Sequence, residues 1–221
     1  MKKVVIFGVG NFSKLVFTYL KNSSHEVVGF TVNNHLLKEN TFLNLPVTPF
    51  EKIKQEFPPE NFCLFIAMGH TNNNKNRARI FDECKKLGYE LLTYVHPTSI
   101  IGEDVKLGEN CLILENNVIQ PFVTLEDDVI IWSNNVISHD VLIKEHCFII
   151  HNVVISGFVT IEPYCILAAN STIRNRVTIA KESIIGMNAL IMKNTVEKGV
   201  YAVDSSQRLP LTSDRLKDIT S

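Results

Sequence analysis

The second half of the chain repeats with a period of six residues. Every sixth residue from Ile101 to Ile191 is isoleucine or leucine. Four residues after each of these stands a second series, from Val105 to Thr195, whose side chains are mostly small, β-branched or thiol. A period of six fits neither an α-helix nor a simple hairpin meander. It is typical of a parallel β-helix, in which each six-residue unit supplies one short strand and one corner.

Three such units close one triangular coil, so both series point inward and stack on their equivalents three units away. The uninterrupted repeat predicts about five coils. Cys111, Cys147 and Cys165 occupy small inward positions, where we expect packing and no thiol chemistry. Because an open β-helix exposes strands at both ends, we expect a capping tail over residues 197–221 at one of them.

Residues 1–95 lack the repeat and alternate between strands and helices. We expect strands over 3–7, 26–32, 62–67 and 89–95, and helices over 14–21, 49–57 and 74–87. This alternation predicts a parallel sheet with helices on its faces. The predicted fold is therefore a Rossmann-like α/β domain over residues 1–95, followed by an all-β parallel β-helix over residues 96–196.

Composition excludes several classes of function. The chain has 22 Lys+Arg against 23 Asp+Glu, so no basic surplus favours nucleic acid. No apolar stretch is long enough for a membrane span. Five cysteines without a CxxC pair favour a reduced, cytoplasmic protein, and their spacing indicates no metal site.

A glycine-rich turn follows the first strand. Gly8 and Gly10 precede a helix whose N-terminus can hold a phosphate. The dinucleotide fingerprint is incomplete, because Ser13 replaces its third glycine and Asn33, without an acidic neighbour, follows the second strand. We therefore expect no NAD. The phosphates of another nucleotide and a turn without ligand both stay open.

A second polar stretch follows the third strand. Gly69 and His70 lead through three consecutive asparagines to Lys75 and Arg77 at the start of a helix. Amides and cations at this edge of a parallel sheet suit a base or a diphosphate. The alternative is a solvated loop whose last asparagine caps the helix.

The β-helix carries one histidine beside a carboxylate. His139 and Asp140 occupy an outward corner position. An adjacent carboxylate orients the imidazole and stabilises its charged form, and such a ring can take a proton from an attacking amine. The alternative is a solvated surface histidine.

Together these features resemble the hexapeptide-repeat nucleotide-sugar N-acetyltransferases of the sialic-acid O-acetyltransferase-like family. Within it the likeness is to the viosamine-type enzymes, which acetylate nucleotide-linked 4-amino-4,6-dideoxyhexoses. The resemblance spans nearly the whole chain, and its motifs lie in residues 4–10, 29–33, 69–77, 114–123, 132–140, 146–157 and 191–193. It implies that the β-helix is left-handed.

The resemblance also implies an activity and a site. Acetyl-CoA would donate its acetyl group directly to the amine, at C4, of a sugar such as dTDP- or UDP-4-amino-4,6-dideoxyglucose, for glycan assembly. His139 would be the general base and Asp140 its partner. The implied substrate-binding residues are Gly8, Gly10, Asn11, Ser13, Asn33, Gly69, His70, Asn72, Asn73 and Lys75. Acetyl-CoA would lie in a groove between two subunits of a homotrimer, and the implied cofactor-binding residues are His151, Gly157, Ala168, Ala169, Gly186 and Lys193.

Three positions depart from the family pattern. Phe148 stands where many relatives carry a second histidine, His70 where tyrosine is common, and Asn134 where a glycine is common. His151 is a candidate replacement for the missing histidine. Two other functions stay open: transfer of an acetyl group to a hydroxyl or of another acyl group, and a non-catalytic trimer that binds a nucleotide sugar.

Overall fold

The computed structural model describes residues 3–208, 210 and 212, and its N-terminal part is an α/β domain. The strands are β1 (Lys3–Phe7), β2 (Val27–Val32), β3 (Thr41–Phe42), β4 (Leu45–Pro49) and β5 (Phe62–Ile66); the helices are α1 (Asn11–Lys21), α2 (Ile53–Glu56) and α3 (Lys75–Lys86), with short 3-10 helices at Asn34–Leu36 and Phe50–Lys52. The sheet order is β3-β4-β2-β1-β5. All neighbours in it are parallel except β3 and β4.

The local differences from prediction have physical reasons. The hairpin of β3 and β4 was not predicted, because these strands are short and β4 contains two prolines. The strand expected over 89–95 forms only in part: Leu91 makes a single parallel bridge to Leu64 of β5, and the chain then leaves β5 to pair at Tyr94–Val95 with Leu112–Ile113. Helix α3 ends at Lys86, one residue before the predicted end, and the predicted terminating residue Gly88 is in the left-handed conformation.

The second half is a parallel β-helix with three faces. The domain-facing sheet contains Tyr94–Val95, Leu112–Ile113, Ile130–Ile131, Phe148–Ile149, Ile166–Leu167, Ile184–Ile185 and Val200–Tyr201. The apolar sheet contains Ile100–Ile101, Val118–Ile119, Val136–Ile137, Val154–Ile155, Thr172–Ile173 and Leu190–Ile191. The third sheet contains Lys106–Leu107, Thr124–Leu125, Leu142–Ile143, Thr160–Ile161 and Thr178–Ile179.

This arrangement confirms the predicted fold class, an α/β domain followed by a left-handed parallel β-helix. Of the tail expected over residues 197–221, the described part pairs Val200–Tyr201 with Ile184–Ile185. Residues 209, 211 and 213–221 lie outside the described residues.

The six-residue repeat builds one continuous core. The inward aliphatic and small residues form a single buried cluster along the β-helix. Asn117 and Asn135 continue the stack inside it, where the Nδ2 of Asn135 donates to the Oδ1 of Asn117 over 2.9 Å. Burial raises the pKa of the Cys111 thiol to about 12, so it stays protonated and acts as a packing group.

The corners have a regular backbone conformation that residue types alone do not reveal. Every sixth residue from Asp104 to Asn188 has a φ between 54° and 65°, in the left-handed region. The series includes Phe158 and Arg176, for which this conformation is unfavourable. Hydrogen bonds between coils hold these corners: the N–H of Phe158 donates to the carbonyl of His139, 3.2 Å away.

The two domains share a hydrophobic core. Outward side chains of the domain-facing sheet, among them Leu112 and Ile130, pack in one buried cluster with Val4 and Leu20 of the α/β domain. The outward residues of the apolar sheet are exposed instead, Ile100 by 64% and Leu190 by 61%. One face of the β-helix is therefore covered by the chain's own domain, while a second apolar face is open.

Two edges of the β-helix border the apolar sheet. The first edge consists of the corners 114–117, 132–135, 150–153, 168–171 and 186–189, next to the domain-facing sheet. The second edge consists of the corners 120–123, 138–141, 156–159, 174–177 and 192–195, next to the third sheet. No helix among the described residues is long and apolar enough to cross a bilayer.

Candidate active site

A cleft lies at the carboxyl ends of β1, β2 and β5, where ligands bind in open α/β sheets. We call it the nucleotide cleft, after the ligand that the family resemblance implies; its volume is about 420 Å³. It is lined by the predicted Gly8, Gly10, Ser13 and Asn33, and also by Phe7, Val9, Val32, His35, Leu36, Ala67, Met68, Asn76 and Arg79. Four of the ten predicted substrate residues therefore meet at one edge of the sheet.

The two glycines of the glycine-rich turn have distinct roles. Gly8 has a φ of +121°, and a Cβ there would collide with the Ser13 hydroxyl. Ser13 is buried and donates to the Ala67 carbonyl, so it braces the turn. A Cβ on Gly10 would meet nothing within 4 Å. Gly10 caps α1, whose first turn contains no acidic residue, so the open N-terminus can accept a phosphate.

The loop over residues 69–74 docks on the β-helix. The Asn73 side chain donates to the Glu182 carbonyl, 3.2 Å away, and Asn72 bonds to Asn76. The Nζ of Lys75 lies 2.7 Å from a Glu182 carboxylate oxygen, and this hydrogen bond lowers the pKa of Glu182. Lys75 and Asn73 are thus engaged with the neighbouring domain and are absent from the lining of the nucleotide cleft.

Sequence reasoning missed the two residues of α3 that do line this cleft. Asn76 and Arg79 lie one turn apart on the same helix face. Arg79 supplies a positive charge there; its Nη1 lies 3.3 Å from a Glu83 carboxylate oxygen, and 62% of its side chain is exposed. Their spacing of three residues along the helix is the sequence signal for this pair, and it is less conspicuous than the cations at 75 and 77.

A second cleft, of about 470 Å³, lies between the two domains. We call it the aromatic cleft. Its walls come from α1, the 69–74 loop and the first edge, and consist of Asn11, Phe12, Leu15, Gly69, His70, Trp132, Phe148, Ile150 and His151. Phe12 stacks on Trp132 with ring centroids 5.8 Å apart, and Trp132 contacts His151 edge-on at 5.0 Å. Predicted residues from both domains, Asn11, Gly69, His70 and His151, therefore come together here.

Phe148 closes the buried end of the aromatic cleft. Its side chain is 3% exposed, and the His70 ring lies 4.9 Å from it. The Arg77 guanidinium covers the ring at 5.6 Å. The phenylalanine thus packs with residues of the α/β domain.

The His139–Asp140 pair lies on the second edge. The Nδ1 of His139 is 2.9 Å from a carboxylate oxygen of Asp140, and both side chains are about half exposed. The ring packs above Gly157, where a Cβ would lie 2.9 Å from the His139 Cε1, and edge-on to Phe158 at 5.1 Å. A proton on Nδ1 directed at Asp140 leaves Nε2 as an acceptor, the form that a general base requires.

The predicted cofactor residues divide between the two edges. His151, Ala168, Ala169 and Gly186 lie on the first edge, whereas Gly157 and Lys193 lie with His139 on the second. Gly186 also packs closely on the last strand, since a Cβ there would be 2.8 Å from the Tyr201 carbonyl oxygen. Within one chain, the His139–Asp140 pair lies on the second edge, whereas the aromatic cleft lies on the first. Among the described residues, no three His, Cys, Asp or Glu side chains are grouped to hold a metal ion.

Protein-family comparisons match both halves of the chain. Residues 3–84 match the PglD N-terminal domain. Residues 104–139 and 140–175 match the bacterial transferase hexapeptide, in its form of six repeats. One match therefore lies in the α/β domain and the other in the β-helix. No curated protein sequence matches it.

Solved structures share the complete two-domain fold. A variant of perosamine N-acetyltransferase from Caulobacter crescentus, in complex with CoA and GDP-perosamine, is 20% identical with a TM-score of 0.81, over 90% of this chain and 93% of that one. The acetyltransferase domain of PglB from Neisseria gonorrhoeae FA1090 is 20% identical with a TM-score of 0.79, over 90% of this chain and 96% of that one. The chain therefore shares the two-domain fold of these two acetyltransferase structures.

Proposed function

We propose that the protein transfers an acetyl group from acetyl-CoA to the amino group of a nucleotide-linked amino sugar. The observation that carries this proposal is the junction of the two clefts. Ala67 and Met68 line the nucleotide cleft, and the next two residues, Gly69 and His70, line the aromatic cleft. One ligand can therefore place its phosphates in the first and its sugar in the second. Structural neighbours that hold CoA and GDP-perosamine support the same assignment.

The lining of each cleft matches one part of such a substrate. The α1 N-terminus at Gly10 and the Arg79 guanidinium suit a diphosphate. The walls of the aromatic cleft, among them Phe12 and Trp132, suit a 6-deoxy sugar with its apolar C6 methyl group. We accordingly propose dTDP- or UDP-4-amino-4,6-dideoxyglucose as acceptor. A cytoplasmic location, as expected from the sequence, would supply both substrates.

The active site is completed by a second copy of the chain. Burying the exposed apolar sheet around a threefold axis brings the second edge of one subunit beside the first edge of the next. His139 then faces the neighbour's aromatic cleft. Acetyl-CoA lies in the groove between the edges, with Gly157 and Lys193 on one side and the small Ala168 and Ala169 on the other.

In this arrangement the amine attacks the thioester carbonyl directly. The Nε2 of His139 takes the proton of the attacking nitrogen, and Asp140 stabilises the imidazolium that forms. Collapse of the tetrahedral intermediate breaks the carbon–sulfur bond, and the His139 imidazolium returns its proton to the departing sulfur, which leaves as the thiol of CoA. The cysteines are buried, so no thiol of the chain is placed to carry the acetyl group.

Transfer is tested with purified protein, acetyl-CoA and a panel of dTDP-, UDP- and GDP-linked 4-amino sugars, each paired with its 4-hydroxy counterpart. We expect release of CoA thiol with an amino sugar only, and a product one acetyl group heavier. Acetylation of the hydroxy counterparts would instead indicate transfer to a hydroxyl group, and the proposal of an amino acceptor would then be wrong. Nucleotide-sugar binding without thiol release from acetyl-CoA would overturn the proposal in favour of another acyl donor or a binding role.

A further inference from the structure

A buried cluster of charged and polar groups joins α3 to the β-helix. The side chains of Arg77 and Asp128 are fully buried, and the Nε of Arg77 lies 2.8 Å from both carboxylate oxygens. Asn110 and His146 also bond to this carboxylate, at 2.7 Å and 2.8 Å. The Nη2 of Arg77 donates to the Asp128 carbonyl, 3.1 Å away. The mechanism above uses none of these groups.

Arg77 holds both ends of the loop that links the two clefts. Its Nη1 donates to the Gly69 carbonyl at 3.3 Å and to the Oδ1 of Asn74 at 3.1 Å. At the C-terminal end of this loop, Asn72, Asn73 and Asn74 have φ values of 52°, 50° and 65°. Three consecutive left-handed residues are unfavourable unless surrounding contacts impose them. The guanidinium supplies such contacts.

Stability alone is a poor explanation for the buried charges. Desolvating an ion pair is costly, and well-packed apolar side chains of similar size often stabilise a protein equally well. A guanidinium differs because its donors lie in one rigid plane. Arg77 can therefore bond Asp128, Gly69 and Asn74 at once while its face covers Phe148, whose ring contacts His70.

We infer that Arg77, held by Asp128, is a positioning residue for the acceptor substrate. It imposes the left-handed turn on the 69–74 loop and thereby places His70 in the wall of the aromatic cleft. This inference rests on the proposed function, since the loop is assigned there to the junction of phosphate and sugar.

Arg77→Lys tests this role, because lysine keeps the positive charge beside Asp128 but loses the planar set of donors. We expect kcat/KM for the amino-sugar nucleotide to fall about 10-fold to 100-fold, as for a displaced substrate. The KM for acetyl-CoA should not change. Backbone amides of residues 69–74 should exchange hydrogen faster than in the wild type. Ile143→Ala is the control, because it opens a cavity in the core at the third sheet and touches neither cleft.

An Arg77→Lys variant that loses thermal stability as the control does, with unchanged acceptor kinetics and unchanged exchange at residues 69–74, would overturn the inference. If Arg77→Lys does not fold, Asp128→Asn, which keeps the shape of the side chain, is measured in the same way. Absence of acetyl transfer by the wild type would refute the proposed function alone. Hydrogen exchange and nucleotide-sugar affinity would still decide whether Arg77 positions the loop.

Discussion

The ring of His139 has little freedom on its corner of the β-helix. Asp140 bonds its Nδ1, the ring makes an edge-on contact with Phe158, and the backbone N–H of His139 donates to the Gln120 side chain at 3.0 Å. These contacts fix which nitrogen is left for proton transfer. At the scale of single residues, His139 is therefore prepared for proton transfer by the orientation of its ring and not by its burial.

His139→Ala should lower kcat by about 10²–10⁴-fold, the usual contribution of a general base. The oligomer should persist, because the exposed ring contributes little to the core. Steady-state kinetics and light scattering on the same sample measure both. A variant within twofold of the wild type would remove His139 from the mechanism. His151→Ala, on the opposite edge, should be mild unless His151 has replaced the missing second histidine.

Gly157→Ala should disturb His139 without removing it. The added Cβ would lie 2.9 Å from Cε1 and 3.0 Å from Nε2 of the ring, so the imidazole must move. We expect kcat to fall about 10-fold or more, since small displacements of catalytic groups are costly. Gly10→Ala is the comparison: its Cβ meets nothing within 4 Å, and Gly10 lines the nucleotide cleft, so the variant should raise the KM for the acceptor and leave kcat unchanged. Equal effects of both variants on kcat would contradict this division.

At the scale of elements, α1 connects the α/β domain to the first edge. Its N-terminal Phe12 stacks on Trp132 in the aromatic cleft. One helix length away, the Tyr19 hydroxyl donates to Glu115, which also accepts from Ser133 at 2.7 Å. Burial alone would raise the pKa of Glu115, but these hydrogen bonds outweigh it and lower the pKa below 4.5. The helix thus holds the cleft wall through contacts at both of its ends.

Tyr19→Phe should lower the free energy of unfolding at pH 7 by about 1–2 kcal/mol, through loss of a hydrogen bond to a charged group. Because the pKa of Glu115 is lower in the folded state, its contribution is present above pH 4.5 and disappears as the pH falls through the folded value. The difference in the free energy of unfolding between wild type and variant should therefore be smaller at pH 3 than at pH 7. Urea unfolding at both pH values measures it, and an equal difference at both would contradict the role of ionised Glu115.

At the scale of the whole molecule, the three faces of the β-helix have different surroundings. The domain-facing sheet is buried by the α/β domain, and the third sheet presents polar side chains such as Lys106 and Thr124 outward. The apolar sheet exposes Val136 and Val154 by 38% and 39%. A contiguous apolar face of this kind is typical of a subunit interface.

Val136→Glu should dissociate the proposed trimer, since three carboxylates would meet near the threefold axis. Activity should be lost with it, because His139 and the aromatic cleft then no longer meet. Light scattering coupled to size exclusion measures the mass. Thr124→Glu on the third sheet is the matched control and should stay trimeric. A wild-type monomer, or a Val136→Glu trimer, would exclude the apolar sheet as the interface.

Much of this architecture was predictable from the sequence. The period of six identified the inward positions, and the glycine turn at Gly8 and Gly10 identified the edge of the sheet where the nucleotide cleft lies. Lys75 shows where such reasoning fails: its position at a helix start suggested a phosphate ligand, yet it pairs with Glu182. That partner belongs to the other domain, and local spacing carries no information about it.

The sequence by itself determined the β-helix, its core and the His139–Asp140 pair, because these follow from a repeat and from adjacency along the chain. Only the tertiary structure decided which side chains share a cleft. Asn73 and Glu182 are 109 residues apart and meet because α3 packs on the domain-facing sheet. The packing of α3 also brings Arg77 to Asp128, and the packing of α1 brings Phe12 to Trp132. Such contacts depend on how two separately specified surfaces fit together, and no periodicity within either one encodes that fit.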